Sequence, residues 1–346
     1  MTSFQPPLRL HLDSDALVAN WRYLKAQGRA ACGAAIKADG YGLGAREVVK
    51  RLRDAGCRDF FVAHWAEAAA VADLIPPDWI SVLNGIDDAD IVPLRELGAV
   101  PVLNTPKQIA MWKAVGGGNC HVMLDTGINR LGIGSEQFSI DLFDGLNIDI
   151  LMSHLASADE DVPQNALQLG LFREQMKLIR AKRRSLANSA GIMLGSDYHF
   201  DVTRPGLSLY GGVARPEMAG KIATVVGISS RILQVRQLPA GGAVGYNATH
   251  RCSVPTNVAT LSIGYADGYL RGFSGRGAVL ASGRVLPVIG RVSMDLISVD
   301  ASTATDLVEG DWVQIPYDLP QASAVSRLSQ YELLTVLGNR FERRWK

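Results

Sequence analysis

From residue 8 to about residue 212, short apolar runs alternate with amphipathic stretches, and this alternation restricts the fold more than any other feature of the chain. Such runs have the length of buried strands rather than of buried helices. They are Cys32–Ile36, Phe60–Ala63, Ile80–Leu83, Val100–Leu103, His121–Leu124, Ile148–Ser153, Ser185–Asn188 and the stretch before Arg204. Between them the spacing of apolar residues predicts helices at Asp15–Gln27 with Ser14 as cap, Ala45–Ala55, Ala66–Leu74, Asp90–Leu97, Pro106–Val115 with Thr105 as cap, and Phe172–Arg184. Strands that alternate with helices run parallel and are covered by those helices. The expectation is therefore an α/β fold, an N-terminal (β/α)8 TIM-type barrel, with an open doubly wound sheet as the alternative.

After Gly212 the pattern changes. Thr224–Gln234, Val258–Tyr265, Ala278–Ala281, Val285–Ile289 and Trp312–Ile315 read as strands separated by turn-rich stretches, and Gln330–Leu337 reads as a short helix ended by Gly338. Two domains are expected: a barrel over residues 1–222 and a mainly-β domain over 223–346.

Charge excludes some partners. With 35 Lys and Arg against 34 Asp and Glu, the chain has no basic excess to hold nucleic acid or an anionic membrane. Met1–Pro7 lacks the basic-then-apolar pattern of a signal peptide, and no apolar run reaches membrane-spanning length. Cys32, Cys57, Cys120 and Cys252 are far apart with no C-x-x-C pair, which predicts buried thiols in a reducing cytoplasm and no metal site.

In a parallel barrel the chemistry sits at the carboxyl ends of the strands. Lys37 ends the first strand, ahead of Gly40, Gly42 and Gly44, which let the backbone turn tightly. A lysine in that position is poorly solvated, which lowers its pKa and frees the amine to attack a carbonyl. Taken alone, a lysine after a strand is far more often a solvated surface charge. Other singular residues fall at later strand ends: Arg130, His154, Ser189, and Arg204 with Gly206. A serine hydroxyl beside the amides of Gly206 and Leu207, after strands seven and eight, suits a phosphate.

The segments Lys37-Ala-Asp-Gly-Tyr-Gly, Asp125-Thr-Gly-Ile-Asn-Arg-Leu-Gly, Gly264-Tyr-Ala-Asp-Gly-Tyr and Gly290-Arg-Val-Ser-Met-Asp, in this order, closely resemble alanine racemase over nearly the whole chain. The resemblance implies a pyridoxal-phosphate enzyme that interconverts L- and D-alanine, and a homodimer with shared active sites. It assigns the cofactor and one base to Lys37, as a Schiff base. The second base is Tyr265, from the β domain of the partner, helped by His154, which in turn faces Arg204. Arg204 bonds the pyridine nitrogen. Tyr41, Ser189, Gly206, Leu207 and Tyr331 hold the phosphate, Arg130 and the amide of Met294 face the substrate carboxylate, and Asp295 orders the entrance. His11, His64, His121, His199 and His250 read as structural or solvated.

Many alanine racemases carry a carbamylated lysine where this chain has Met123. A thioether cannot balance the charge of Arg130, so another acceptor, with neighbouring Asn129 one candidate, or a bound anion is expected to do so. Rival readings are a racemase of broader range, a decarboxylase of the same fold, and a non-catalytic pyridoxal-phosphate carrier. Arg204 and Tyr265 disfavour the decarboxylase, and the second base and β domain disfavour the carrier.

Overall fold

In the computed structural model, which describes residues 5–346, the apolar runs become strands that follow one another in chain order. Leaving β1 (Leu8–Leu12) aside for the moment, they are β2 (Ala31–Cys32), β3 (Ala34–Ala35), β4 (Phe60–Val62), β5 (Ile80–Val82), β6 (Val100–Leu103), β7 (Asn119–Met123), β8 (Asn147–Met152), β9 (Arg183–Ser185) and β10 (Val202–Thr203). From β3 to β9 every neighbouring pair is parallel. Gly33 splits the first strand into β2 and β3. A Cβ there would lie 2.7 Å from the Phe61 ring and 2.8 Å from the Asp59 carbonyl oxygen, so glycine lets the neighbouring strand pass.

The ring closes through β10. The amides of Ala31, Gly33 and Ala35 donate to the carbonyl oxygens of Asp201, Thr203 and Pro205 at 2.9, 2.9 and 2.8 Å. On its other side, Asp201 and Arg204 donate to Arg184 and Ala187 at 3.0 and 2.8 Å. The eighth strand is thus only two residues long, held by hydrogen bonds on both edges.

Three expectations shift. The helix read as Phe172–Arg184 is Pro163–Gln175, and Arg183 and Arg184 are strand residues. Arg183 stands in a strand because it donates to Asp59 at 2.8 Å and to Asp149 at 2.6 Å, an ion pair that links three strands at the amino end of the barrel. Asn188 is not strand; its side chain caps the short helix Ser189–Ile192. Ser14 is the first residue of the helix Ser14–Lys25, not its cap: the Asp13 carboxylate accepts the Ala16 amide at 2.8 Å.

The second unit is antiparallel. It contains β11 (Val226–Leu238), β12 (Ala243–Val244), β13 (His250–Arg251), β14 (Thr256–Leu261), β15 (Ala278–Ala281), β16 (Arg284–Ile289), β17 (Ile297–Asp300), β18 (Trp312–Ile315) and β19 (Glu342–Trp345). The long β11 pairs with β18 over Ile228–Arg231 and with β14 over Ile232–Leu238, and so closes the order β14-β17-β16-β15-β18-β11 into a ring.

The compact units divide differently from residues 1–222 and 223–346. Among the described residues, one comprises 17–209 and 213–223; the other takes 5–16, 210–212 and 224–346. The cause is β1, whose Leu8, Leu10 and Leu12 are buried and which lies between β11, antiparallel, and β19, parallel. All four cysteines are buried free thiols, and among the described residues no helix is long and apolar enough to cross a membrane.

Candidate active site

The backbone after β3 is wound the wrong way for L-residues. Ala38, Asp39, Gly40 and Tyr41 all have φ between 53° and 64°, so three non-glycine residues adopt the left-handed conformation in succession. Each costs on the order of 1–2 kcal/mol, strain of a kind that persists where surrounding groups enforce it. Glu67 enforces it here: its carboxylate accepts the amides of Ala38 and Ala63, both at 2.7 Å. Asp39 holds the other end, accepting the Ala45 amide at 2.8 Å. Lys37 is thereby fixed at the strand end. Its side chain reaches solvent while protein crowds around it, and this desolvation lowers its pKa; Arg130 pushes the same way and Glu67 opposes.

Arg130 stands on a loop folded around one carboxylate. Asp125 accepts the amides of Gly127, Ile128 and Asn129 on Oδ1 at 2.8, 3.0 and 3.1 Å and that of Arg130 on Oδ2 at 3.1 Å. The backbone of Arg130 is fixed, but among the described residues no acceptor holds its guanidinium. Asn129 does not do so, which removes it as the expected partner, and Met123 is buried beneath the loop.

Gln168 ties this loop to the next. Fully buried on the helix Pro163–Gln175, it donates to Thr126 Oγ1 at 3.2 Å and to the His154 carbonyl oxygen at 2.9 Å, and it accepts the Ala156 amide at 2.8 Å. His154 follows β8. Burial, then the charges of Arg204, Arg130 and Lys37, hold its pKa down at about 3, so the imidazole is neutral.

Arg204 lies deepest. It is 6 % exposed and donates to the Ser153 carbonyl oxygen at 2.6 Å and to Ser185 Oγ. Among the described residues no carboxylate pairs with it, and burial alone pushes its pKa down to about 10. Beside it Ser189 Oγ accepts the amides of Gly206 at 3.0 Å and Ser208 at 3.2 Å, with Leu207 buried between them. A side chain at Gly206 would collide with the Tyr41 hydroxyl, so glycine keeps this cradle open. Uncompensated positive charge next to a serine hydroxyl and a cluster of backbone amides fits an anionic phosphate-bearing group.

The barrel thus brings together Lys37, Tyr41, Arg130, His154, Ser189, Arg204, Gly206 and Leu207. Tyr265 and Met294 meet in the β unit: the amides of Tyr265 and Ala266 donate to the carbonyl oxygens of Ser293 and Met294, both at 3.0 Å. Tyr331 stands on the helix Gln330–Thr335 of the β unit and is exposed. Sequence reasoning passed over Glu67, Gln168 and a second tyrosine, Tyr246. Tyr246 is 67 % exposed on a strained loop in which Gly245, Asn247 and Ala248 have φ of 71°, 61° and 49°. The loop abuts the same segment, since a Cβ on Gly245 would lie 3.6 Å from the Arg291 amide. The Gly-Tyr-Asn sequence was the available signal.

Comparison with known proteins agrees. Residues 12–214 match the family model described as alanine racemase, N-terminal domain, and residues 225–345 match alanine racemase, C-terminal domain. An alanine racemase of Rickettsia canadensis is 40 % identical, covering 90 % of this chain and 91 % of its own. A catabolic alanine racemase of Agrobacterium fabrum is also 40 % identical, covering 96 % and 91 %. Among solved structures, the alanine racemase of Bartonella henselae with covalently bound pyridoxal phosphate is 34 % identical and superimposes with a TM-score of 0.91 over 98 % of this chain and 99 % of that one. With both halves matched in order and the strand-end residues in one cluster, the chain belongs to the alanine racemase family.

Proposed function

We propose that this protein interconverts L- and D-alanine with pyridoxal phosphate. The observation that carries the reading is the cluster of Lys37, Arg130 and buried Arg204 around neutral His154, in which among the described residues neither guanidinium pairs with a carboxylate, and which calls for an anionic guest. Lys37 would hold the cofactor through its amine, Arg204 would donate to the ring nitrogen, and Ser189, Tyr41, Tyr331 and the amides of Gly206 and Leu207 would hold the phosphate. When bound, the cofactor supplies a conjugated ring that withdraws electron density from Cα.

Racemisation needs a proton removed from one face of Cα and another delivered to the opposite face. The lowered pKa of Lys37 favours the neutral amine, the form able to take the proton. Arg204 stays charged at neutral pH and donates without surrendering its proton, which limits the electron sink and favours return of a proton to Cα. Arg130 and the Met294 amide would face the substrate carboxylate, with Asp295 near the entrance.

The second base is a tyrosine of the β unit, whose hydroxyl can donate a hydrogen bond to neutral His154. Tyr265 is the residue the motif suggests. Its ring lies 5.4 Å from the Arg271 guanidinium carbon and is half-buried. Tyr246 is favoured by its exposure and by the strain of its loop, since strained backbone clusters at functional sites. The reading extends to a homodimer in which each site borrows this tyrosine from the other chain, and to the cytoplasm, where four buried free thiols remain reduced.

The test is chiral analysis after incubation with single L-amino acids. L-Alanine should approach an equal mixture of enantiomers, L-serine should react more slowly, and Lys37→Ala should be inert while remaining folded. Absence of D-alanine, or cofactor fixed to another lysine by borohydride reduction, would overturn the reading.

A further inference from the structure

Asp267 is fully buried, yet its carboxylate is the hub of the turn that carries Tyr265. Its Oδ2 accepts the Gly264 amide at 3.0 Å. A buried carboxylate needs a counter-charge, and Arg340 supplies it from the end of the chain: Nε donates to Oδ1 at 2.7 Å and Nη2 to Oδ2 at 2.8 Å. The same guanidinium donates through Nη1 to Asp295 Oδ1 at 2.6 Å. One planar fork therefore spans two segments, 264–267 and 293–295, which are already joined by backbone hydrogen bonds. The first presents Tyr265 and the second presents Met294, and each carboxylate lies within two residues of the side chain or amide concerned.

We infer that Arg340 is a positioning residue for the β unit's part of the reaction: it sets the spacing between the Tyr265 turn and the Met294–Asp295 segment through its bidentate hold on Asp267 and its single bond to Asp295. A lysine cannot do this, because a point charge lacks the fixed fork that reaches both carboxylates. The inference rests on the proposal that the β unit supplies the second base and a contact to the substrate carboxylate.

Arg340→Ala would strand Asp267 in the interior and unfold the unit, so the informative variants are Arg340→Lys and Asp295→Asn. Asp295 is exposed, and its loss leaves the buried pair intact. Turnover should fall about tenfold in Arg340→Lys and a few-fold in Asp295→Asn, as small misplacements of a reacting group do. The decisive readout is the primary isotope effect with α-deuterated alanine, measured separately for each enantiomer in the reconstituted holoenzyme. It should rise for one enantiomer and stay at the wild-type value for the other, because only one face depends on the β unit. A purely structural role would lower turnover in proportion to the folded fraction and leave both isotope effects unchanged, and that result would overturn the inference. If the wild-type holoenzyme racemised nothing, the activity itself would be wrong and the role of Arg340 would fall with it.

Discussion

The guanidinium of Arg204 donates to the carbonyl oxygen of Ser153 at 2.6 Å and, among the described residues, meets no carboxylate. A buried, unbalanced cation destabilises the fold it sits in, and it is kept where something anionic or electron-rich is to be received.

Replacing Arg204 by Gln should therefore separate stability from activity. The amide keeps a donor for Ser153 and removes the buried charge. The cofactor-free variant should gain about 1–2 kcal/mol in urea unfolding, while racemisation falls at least a hundredfold. Loss of both stability and activity would show that the charge is balanced after all.

The bare guanidinium of Arg130 leads to a second expectation. Because Met123 offers no amine to carbamylate, turnover in degassed buffer at mildly acidic pH should match turnover after bicarbonate is added at constant pH. A large recovery with bicarbonate would mean that a different lysine is modified near Arg130.

The two tyrosines can be told apart by mixing subunits. Lys37→Ala combined with Tyr246→Ala should recover activity if Tyr246 acts across a dimer, since each hybrid has one site with both defects and one with neither. Random pairing makes about half the dimers hybrid, so about a quarter of all sites should work. The same mixture made with Tyr265→Ala tests the rival. The tyrosine that acts as base is the one whose Phe variant is nearly dead; the other Phe variant should lose less than about tenfold.

Away from the mouth, His121 makes a pH prediction. It is buried, bonded to Ser81 Oγ at 3.0 Å and to the Ile150 amide at 3.0 Å, and burial lowers its pKa to about 3. The unfolded chain binds a proton here below about pH 6.5 and the folded chain does not until about pH 3. Stability is unaffected above that window and falls as pH drops through it, by up to about 1.4 kcal/mol per pH unit. Urea midpoints for His121→Asn should show a shallower slope between these values than the wild type.

Much of the barrel was legible because a parallel strand buried on both faces must be apolar along its length, as Phe60–Val62 and Val100–Leu103 are. Lys37, His154 and Arg204 stood out because they interrupt or end such runs. The seventh strand was read two residues late, at Ser185–Asn188, because Arg183 and Arg184 look like helix surface; only the distant Asp59 and Asp149 explain an arginine there. That error also displaced the preceding helix and concealed Gln168. Glu67 and Arg340 were invisible for another reason. They serve backbone amides and paired carboxylates contributed by segments far along the chain, and no local spacing announces such partners. The left-handed run after Lys37 takes in Gly40, Gly42 and Gly44 as expected, and extends to Ala38, Asp39 and Tyr41, where tertiary hydrogen bonds hold it.

The place of β1 between β11 and β19 bears on how the protein is made. His11 bonds to Ser229, 218 residues away, so the first strand synthesised waits for most of the chain. At ordinary ribosomal speeds that wait is roughly 10–40 s. Meanwhile an alternating Leu-Arg-Leu-His-Leu segment with two open edges is free to pair with any other strand. Its Arg9 and His11 place charge and polarity on one face of that waiting edge, and the barrel, whose strands pair with near neighbours in sequence, has time to complete itself first.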